Sequence, residues 1–300
     1  MKVLITDPIA EEGKEVLKNK GLEVIEKIGL SPEELKQEIL GKDAIIVRSA
    51  TKVTKQVIET ADILKVIGRA GIGLDNIDLE AAKEKGIKVL NTPGATSISV
   101  AELALGMMFA CARHIARGTL GLKEGRWEKK QLKGIELYKK TLGIIGMGRI
   151  GTEVAKRAKY LGMRVIFYDP YVQVSEYGEK VGLDTLYENA DIISLHLPLT
   201  PETKHMISKE AFAKMKNGAI LINCARGGIV DEDALYDALT TGKLFAAGID
   251  VFEQEPAVGN KLFTLDNVVV TPHIGAQARE GQKRAGVEIA EKVSKELLGA

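Results

Sequence analysis

The sequence is poor in cysteine, and this limits the chemistry that it can carry. Its 300 residues include two cysteines, Cys111 and Cys224, in no Cys-x-x-Cys arrangement. This pattern argues against a disulfide framework and a zinc site, and it is typical of a reducing compartment. We expect both cysteines to be small buried residues, and we expect no metal.

An excess of one charge and long apolar runs are also missing. The 42 basic and 41 acidic residues give a net charge of +1, so there is no general electrostatic attraction for nucleic acid or a membrane surface. No apolar run approaches the roughly 20 residues of a membrane helix, and Met1–Asp7 has the pattern of a strand and a turn instead of a signal peptide. We expect a cytoplasmic protein whose anionic partner, if it has one, is a small molecule.

What the sequence does have is an alternation of short apolar runs with helical patterns. Ser31-Pro32-Glu33-Glu34 predicts a helix start, with Ser31 as the cap and Glu34 completing a capping box. Strands that alternate with helices predict a parallel sheet with helices on both faces. The first strands predicted are Lys2–Thr6, Leu22–Ile25, Ala44–Val47, Val66–Gly68 and Lys88–Asn91, and the helices between them are Ile9–Lys20, Lys55–Ala61 and Leu79–Lys85.

A second alternation begins at Thr141 and predicts a second sheet. Before it, Ser99–Gly118 has the pattern of one long helix, and 123–140 that of a helix end and an exposed connection. Six further strands make a complete dinucleotide-binding unit, and the last predicted helix, Gln277–Leu298, has no strand after it. The fold class is therefore α/β with two doubly wound parallel sheets. The six strands are Leu142–Ile145, Arg164–Tyr168, Ile192–Leu195, Ala219–Asn223, Ala246–Val251 and Asn267–Thr271.

A glycine motif between the first strand and helix of this second sheet indicates a dinucleotide site. Gly146 permits a tight turn, Gly148 lets the backbone approach a pyrophosphate, and Gly151 lets helix and strand pack closely. Asp169 ends the next strand, near the spacing of about 20 residues expected for the acid that binds the ribose. Its carboxylate accepts hydrogen bonds from a 2′-hydroxyl and repels a 2′-phosphate, so the predicted cofactor is NAD.

Three titratable or charged residues follow apolar runs of the second sheet. Because ligands bind outside the carboxyl ends of parallel strands, Arg226, Glu255 and His273 are expected to converge there. His273 suits a general base, Glu255 fixes its tautomer and stabilises its charged form, and Arg226 offers a planar fork for a carboxylate. His196 also ends a strand; it is either structural or lines the nicotinamide side.

The chain contains five distinctive motifs: Val47-Arg48-Ser49-Ala50-Thr51, Gly68-Arg69-Ala70-Gly71, Asn223-Cys224-Ala225-Arg226-Gly227-Gly228, Asp250-Val251-Phe252-Glu253-Gln254-Glu255-Pro256 and Pro272-His273-Ile274-Gly275-Ala276. They resemble motifs of the D-isomer-specific 2-hydroxyacid dehydrogenases, and the resemblance covers essentially the whole chain. It implies the roles above for Arg226, Glu255 and His273. It also implies a Rossmann-type NAD-binding domain at 94–276, through which the protein dimerises, and a discontinuous flavodoxin-like substrate domain at 1–93 plus 277–300.

The resemblance further implies contacts to substrate and cofactor. Arg48, Ser49, Arg69 and Gly71 are expected to face the substrate, with the arginines suited to a phosphate-bearing hydroxy acid. Asp250 is expected near the nicotinamide. The other cofactor contacts expected, besides those of Gly146, Gly148, Gly151, Asp169, Arg226 and His273, are Arg149, Ile150, Pro198, Cys224, Ala225, Gly275 and Ala276.

The exact substrate stays open at this point. Resemblance is strongest to members that oxidise D-3-phosphoglycerate to 3-phosphohydroxypyruvate, the first step of phosphorylated serine biosynthesis. Reduction of glyoxylate or hydroxypyruvate is the nearest alternative, and a dinucleotide-sensing corepressor is an alternative from another class. Formate dehydrogenases of this fold carry Gln in place of Glu255. We expect no serine-binding domain after the last helix, and we therefore expect serine not to inhibit.

Overall fold

The computed structural model describes residues 1–299 and divides into two compact units. Unit 1 comprises Met1–Ser97 and the segment from Ala276 onward, and unit 2 comprises Ile98–Gly275. The sequence places the corresponding boundaries at 93/94 and 276/277. The assignment of substrate binding to unit 1 stays a prediction.

Unit 1 contains a five-stranded parallel sheet whose central strands are buried on both faces. The order β2-β1-β3-β4-β5 is the flavodoxin-like 2-1-3-4-5 arrangement, as expected. Ser31 caps α2 through a capping box with Glu34, which confirms the predicted helix start. The strands are β1 (Lys2–Ile5), β2 (Glu23–Glu26), β3 (Ala44–Val47), β4 (Val66–Arg69) and β5 (Lys88–Asn91), and the helices are α1 (Glu11–Asn19), α2 (Pro32–Glu38), α3 (Lys55–Thr60) and α4 (Leu79–Glu84).

Unit 2 contains a seven-stranded parallel sheet within the described residues. The order β12-β11-β10-β9-β6-β7-β8 is the Rossmann order 3-2-1-4-5-6 with one additional edge strand, β12. The sequence predicts six strands. It misses β8, which is too short, at two residues, to give a recognisable strand pattern. The strands are β6 (Thr141–Ile145), β7 (Arg164–Tyr168), β8 (Glu179–Lys180), β9 (Ile192–Leu195), β10 (Ala219–Asn223), β11 (Leu244–Ile249) and β12 (Val268–Val270).

Six α-helices accompany this sheet in the described chain. α5 and α7 pack into one core with β6 and β7, while α8, α9 and α10 pack into the core on the other face. The helices are α5 (Ser97–Ala112), α6 (Ile115–Lys123), α7 (Arg149–Tyr160), α8 (Leu183–Asn189), α9 (Lys209–Lys214) and α10 (Glu232–Thr240), with a 3-10 helix at Lys261–Thr264.

The prediction of one helix over 99–118 is wrong. α5 ends at Ala112, His114 adopts a left-handed conformation with φ of 54°, and α6 leaves at 65°. A later segment causes the break: Ile135 N donates to the carbonyl of Ala112 at 2.9 Å, and a Cβ on Gly134 would lie 2.2 Å from the same oxygen. Helical periodicity carries no information on this long-range contact.

Within residues 1–299, no single helix has both the length and the apolar composition to cross a membrane. α5 and α6 meet these criteria only as a bent pair. Met107 and Met108 of α5 are buried in the core of unit 2, while Ile115, Leu120 and Leu122 of α6 are more than half exposed. A homodimer through unit 2 stays a prediction.

The last helix, α11 (Arg279–Leu298), packs within unit 1. A Cβ on Gly13 of α1 would lie 2.5 Å from the carbonyl oxygen of Gly286, so the two helices approach closely. Ile289 and Val293 cover Gly68 of β4 in the same way. This helix therefore completes the core of unit 1 from the far end of the chain.

Candidate active site

The glycine turn of unit 2 leaves the amino end of α7 open. Gly146 has φ of 96°, and a Cβ there would lie 2.3 Å from the carbonyl oxygen of His196. A Cβ on Gly151 would lie 2.1 Å from the oxygen of Gly146, whereas one on Gly148 would have no described atom within 4 Å. Gly148 precedes α7, and no side chain among residues 1–299 caps that helix end. Open space in front of backbone N–H groups fits the pyrophosphate of a dinucleotide.

Asp169 lies directly after β7 and braces the same turn. Its carboxylate accepts from Met147 N at 2.8 Å, Tyr171 N at 2.8 Å and Val172 N at 2.9 Å. Burial by itself would raise the pKa of Asp169, but these three N–H groups and Lys180 hold the pKa below its ordinary value. A carboxylate has about four acceptor positions, and three are used here. The remaining position can accept from a ribose hydroxyl, so the predicted ribose contact fits this carboxylate.

His273 and Glu255 form a hydrogen-bonded pair. Nδ1 of His273 lies 2.8 Å from Oε2 of Glu255, and Oε1 of Glu255 accepts from Phe252 N at 3.1 Å. The backbone of His273 is left-handed, with φ of 52°, and its N–H donates to the carbonyl of Asp250 at 2.8 Å. Because Nδ1 is engaged by the carboxylate, Nε2 is the ring atom available for proton exchange.

The loop after β10 places Arg226 beside the loop that carries Glu255. Asn223 closes this turn, since its side chain accepts from Ala225 N at 3.0 Å and donates to the carbonyl of Arg226 at 3.1 Å. A Cβ on Gly227 would lie 1.7 Å from the carbonyl oxygen of Phe252. The two backbones are therefore in direct contact, and glycine is required at 227. The structure brings Arg226, Glu255 and His273 to the carboxyl edge of one sheet.

Asp250 has a role that the sequence does not reveal. Its buried carboxylate accepts from Thr271 Oγ1 at 2.6 Å, Ile274 N at 2.7 Å and Gly275 N at 2.8 Å. These bonds fix both sides of His273. The Asp250 carboxylate therefore fixes the conformation of the loop that carries His273. The expected contact of Asp250 with the nicotinamide stays a prediction.

The remaining cofactor residues of the prediction are dispersed around this edge. Arg149 and Ile150 begin α7, Pro198 is exposed after β9, and Gly275 is buried against Asp250. Ala276 belongs to unit 1. Cys224 and Ala225 are buried, so they present backbone and little side chain to a ligand.

Both cysteines are free and buried, as expected. Burial raises the pKa of the Cys111 thiol to about 12 and also raises the pKa of Cys224, whose Sγ lies 3.6 Å from Sδ of Met107. Such thiols are unreactive at neutral pH. Among residues 1–299, no three His, Cys, Asp or Glu side chains are grouped as for a metal ion.

His196 ends β9 in a setting unlike that of His273. Its Nε2 lies 2.9 Å from Oγ of Ser194, and its Nδ1 is shielded from solvent without a hydrogen-bond partner among residues 1–299. Burial lowers the pKa of His196 to about 3, so the ring is neutral at physiological pH. The surroundings favour the structural alternative for this residue.

The four candidate substrate residues of unit 1 lie at the carboxyl edge of its sheet. Arg48 follows β3 and Arg69 ends β4, and the two strands pair with Val47 opposite Arg69. Gly71 has φ of 152°, and a Cβ there would lie 1.7 Å from Nη1 of Arg69, so this guanidinium lies across the glycine. Ser49 is exposed. Burial lowers the pKa of Arg48, and Asp7 opposes that effect.

Comparisons with known proteins agree with this geometry. The model of the D-isomer specific 2-hydroxyacid dehydrogenase family, NAD binding domain, matches residues 105–275. Hydroxypyruvate reductase from Thermotoga maritima is 56% identical over 99% of this chain and 98% of its own length. D-3-phosphoglycerate dehydrogenase from Methanocaldococcus jannaschii is 54% identical over 100% of this chain but 58% of its own length. A solved structure from Thermus thermophilus has a TM-score of 0.93 at 40% identity, over 100% of this chain and 97% of that one.

Proposed function

The chain belongs to the D-isomer-specific 2-hydroxyacid dehydrogenase family and is an NAD-dependent enzyme, and on that premise we propose that it interconverts D-3-phosphoglycerate and 3-phosphohydroxypyruvate. In the oxidative direction this is the first step of phosphorylated serine biosynthesis. The observation that carries the proposal is the pair Arg48 and Arg69 on neighbouring strand ends of unit 1. Two cations at one edge suit a phosphate, which the near-neutral chain does not otherwise attract.

The chain's own residues supply binding and proton transfer. Arg226 holds the substrate carboxylate with its planar guanidinium and polarises the C2 oxygen. His273 takes the C2 hydroxyl proton on Nε2 as the carbonyl forms, and Glu255 stabilises the resulting imidazolium. NAD⁺, which the glycine turn and Asp169 would hold, would supply the acceptor for the C2 hydride. In the reductive direction the imidazolium returns its proton to the same oxygen.

Binding of NAD rests on the glycine turn and Asp169. The open amino end of α7 at Gly148 would hold the pyrophosphate, and the remaining acceptor position of Asp169 would accept from a ribose hydroxyl. A 2′-phosphate would meet the Asp169 carboxylate, whose pKa is lowered and which is therefore ionised at neutral pH. These contacts favour NAD over NADP.

A second candidate activity is reduction of hydroxypyruvate. It is favoured by the Thermotoga maritima relative, which this chain matches over 98% of its length, whereas two phosphoglycerate dehydrogenases from archaea are matched over only 58% and 56% of theirs. The two candidates differ in whether a phosphate is recognised. Arg226, Glu255 and His273 have the same roles in both.

The test compares 2-oxo acids with NADH as the reductant. We expect kcat/KM for phosphohydroxypyruvate to exceed that for hydroxypyruvate and glyoxylate by roughly tenfold or more, a difference typical of a lost charge-assisted contact. Arg48→Ala should remove most of this preference by raising KM for the phosphorylated substrate. Lys52→Ala, which removes an exposed cation just beyond the same loop, is the matched control. If the ratio of kcat/KM for phosphohydroxypyruvate to that for hydroxypyruvate is near or below one, and Arg48→Ala does not change it, the second candidate is favoured.

A further inference from the structure

A buried carboxylate of unit 1 takes no part in the chemistry described so far. Asp7 lies just after β1 and is 3% exposed. It accepts from Arg48 N at 2.6 Å, Thr51 N at 3.2 Å and Thr51 Oγ1 at 2.8 Å. All three donors belong to residues 48–51, the loop that carries Arg48 and Ser49. Burying an ionisable group costs free energy unless the group is hydrogen-bonded. The buried Asp7 carboxylate therefore needs these three bonds, and they fix the loop that supplies them.

Asn76 holds the same loop through its carbonyl groups. Its Nδ2 donates to the carbonyl of Arg48 at 2.7 Å and to the carbonyl of Thr51 at 2.7 Å. The backbone of Arg48 and Thr51 is therefore bonded through N–H groups to Asp7 and through carbonyls to Asn76. Both ends of a four-residue loop are fixed by two side chains from elsewhere in the sequence.

The guanidinium of Arg48 is held much less firmly than its backbone. It donates to the carbonyl of Pro8 at 3.3 Å and to Oε1 of Gln277 at 3.4 Å, both long contacts. The direction in which Arg48 points is thus set mainly by the backbone from which it extends. A side chain that leaves a fixed backbone loses less entropy on binding an anion.

We propose that Asp7 is a positioning residue for substrate binding: together with Asn76 it locks the 48–51 loop so that Arg48 and Ser49 are presented in one geometry. This inference rests on the proposed function, in which that loop contacts the substrate. Asp7 acts through the loop and does not touch the reacting atoms. Its loss should therefore raise KM for the 2-oxo acid and spare kcat and cofactor affinity.

Two substitutions at the same position separate this role from the charge of Asp7. In Asp7→Asn the amide oxygen can accept from both N–H groups, while the amide NH₂ donates to Thr51 Oγ1, whose own proton turns to the carbonyl of Thr6. We expect Asp7→Asn to keep KM within about threefold of the wild type. Asp7→Ala loses all three bonds and should raise KM roughly tenfold or more, with kcat within about threefold and the Kd for NADH unchanged.

Asp43 provides a matched control. It is another buried carboxylate of unit 1, whose side chain accepts from Lys2 N and Lys65 Nζ at 2.8 Å each, so its partners within the described residues lie outside the 48–51 loop. Asp43→Asn should leave KM unchanged. If Asp7→Ala folds poorly, Asn76→Ala and Thr51→Val test the same lock from its other bonds, with KM expected to rise in both.

The experiment measures KM, kcat and NADH binding for these variants beside Arg48→Ala, with KM for phosphohydroxypyruvate as the deciding quantity and hydroxypyruvate as the unphosphorylated comparison. If Arg48→Ala raises KM and the Asp7, Asn76 and Thr51 variants do not, the positioning role is wrong and the proposed function stands. If Arg48→Ala leaves KM unchanged, the phosphate contact is wrong, and a rise in Asp7→Ala alone still supports positioning through Ser49. Equal rises in Asp7→Asn and Asp7→Ala would overturn the inference, because charge would then be the cause.

Discussion

His273 and His196 show how surroundings set the chemistry of one residue type in unit 2. The side chain of His273 is nearly half exposed, and its Nδ1 lies 2.8 Å from a carboxylate oxygen of Glu255. His196 has a shielded Nδ1 and only a hydroxyl on Nε2. The first is suited to exchanging a proton during turnover. The second is suited to staying neutral.

The burial of His196 predicts a loss of stability in acid. Its pKa falls from 6.5 to about 3 on folding, so the unfolded chain takes up the proton first. The contribution of neutral His196 to the free energy of unfolding is fully present above about pH 6.5. It is lost as the pH drops towards 3, by about 2 kcal/mol at pH 5. In His196→Gln the difference in unfolding free energy between pH 7.5 and pH 5 should shrink by that amount, measured by denaturant titration.

His114→Gln serves as the comparison, because it keeps His196 intact. It should retain the acid sensitivity of the wild type. If His196→Gln and His114→Gln lose stability between the two pH values to the same extent as the wild type, His196 is not the group responsible.

At the residue scale the sequence is informative where a side chain follows a strand. Arg226, Glu255 and His273 are predicted to converge because each lies past a buried apolar run. In the structure they follow the neighbouring strands β10, β11 and β12, and their catalytic roles stay a prediction. Asp7 and Asp250 are not distinguishable in the same way, since their partners lie more than twenty positions away. A sequence pattern does not report which distant N–H groups a carboxylate will meet.

In unit 2, the loops that follow β10 and β11 carry Arg226 and Glu255 and contact each other. Gly227 touches the carbonyl of Phe252 with no room for a side chain. This contact holds the Arg226 loop against the Glu255 loop. Replacing the hydrogen atom of Gly227 by a larger group should therefore displace both loops.

Gly227→Ala should separate these loops. A methyl group 1.7 Å from a backbone oxygen forces the backbone to move, and a displacement of about 1 Å at a catalytic group can lower activity by about 10²-fold. We expect such a loss in kcat/KM with far-UV circular dichroism unchanged. Gly106→Ala on α5, where no described atom beyond the adjoining backbone of the same helix lies within 4 Å of the new Cβ, should retain wild-type kcat/KM. Wild-type kcat/KM in Gly227→Ala would show that the loop contact is unimportant.

At the element scale, strands and the α2 cap follow from local sequence, and the break between α5 and α6 does not. The strand patterns succeed because parallel strands buried on both faces need continuous apolar runs. The break at His114 depends on residues 134–135. The two-residue strand β8 carries too little pattern to be recognised.

The whole molecule combines two parallel sheets of different strand order with almost no net charge. Each sheet places the proposed functional side chains at the carboxyl ends of its strands: Arg48 and Arg69 in unit 1, and Arg226, Glu255 and His273 in unit 2. A net charge of +1 leaves the recognition of an anion to these few cations. In the proposed mechanism, the chemistry then depends on the proton relay of His273 and Glu255.

The most direct test of this relay compares kcat/KM for hydroxy-acid oxidation in the wild type, Glu255→Gln and Glu253→Gln. Oxidation needs a base that accepts the hydroxyl proton, and an amide at position 255 does not balance the positive charge that forms on His273. We therefore expect kcat/KM to fall roughly tenfold or more in Glu255→Gln, as for the loss of a charge-assisted hydrogen bond. Glu253→Gln, which removes the neighbouring carboxylate that pairs with His205, should retain wild-type kcat/KM, and His273→Ala should lower kcat by about 10²–10⁴-fold. Wild-type kcat/KM in Glu255→Gln, or wild-type kcat in His273→Ala, would contradict the relay.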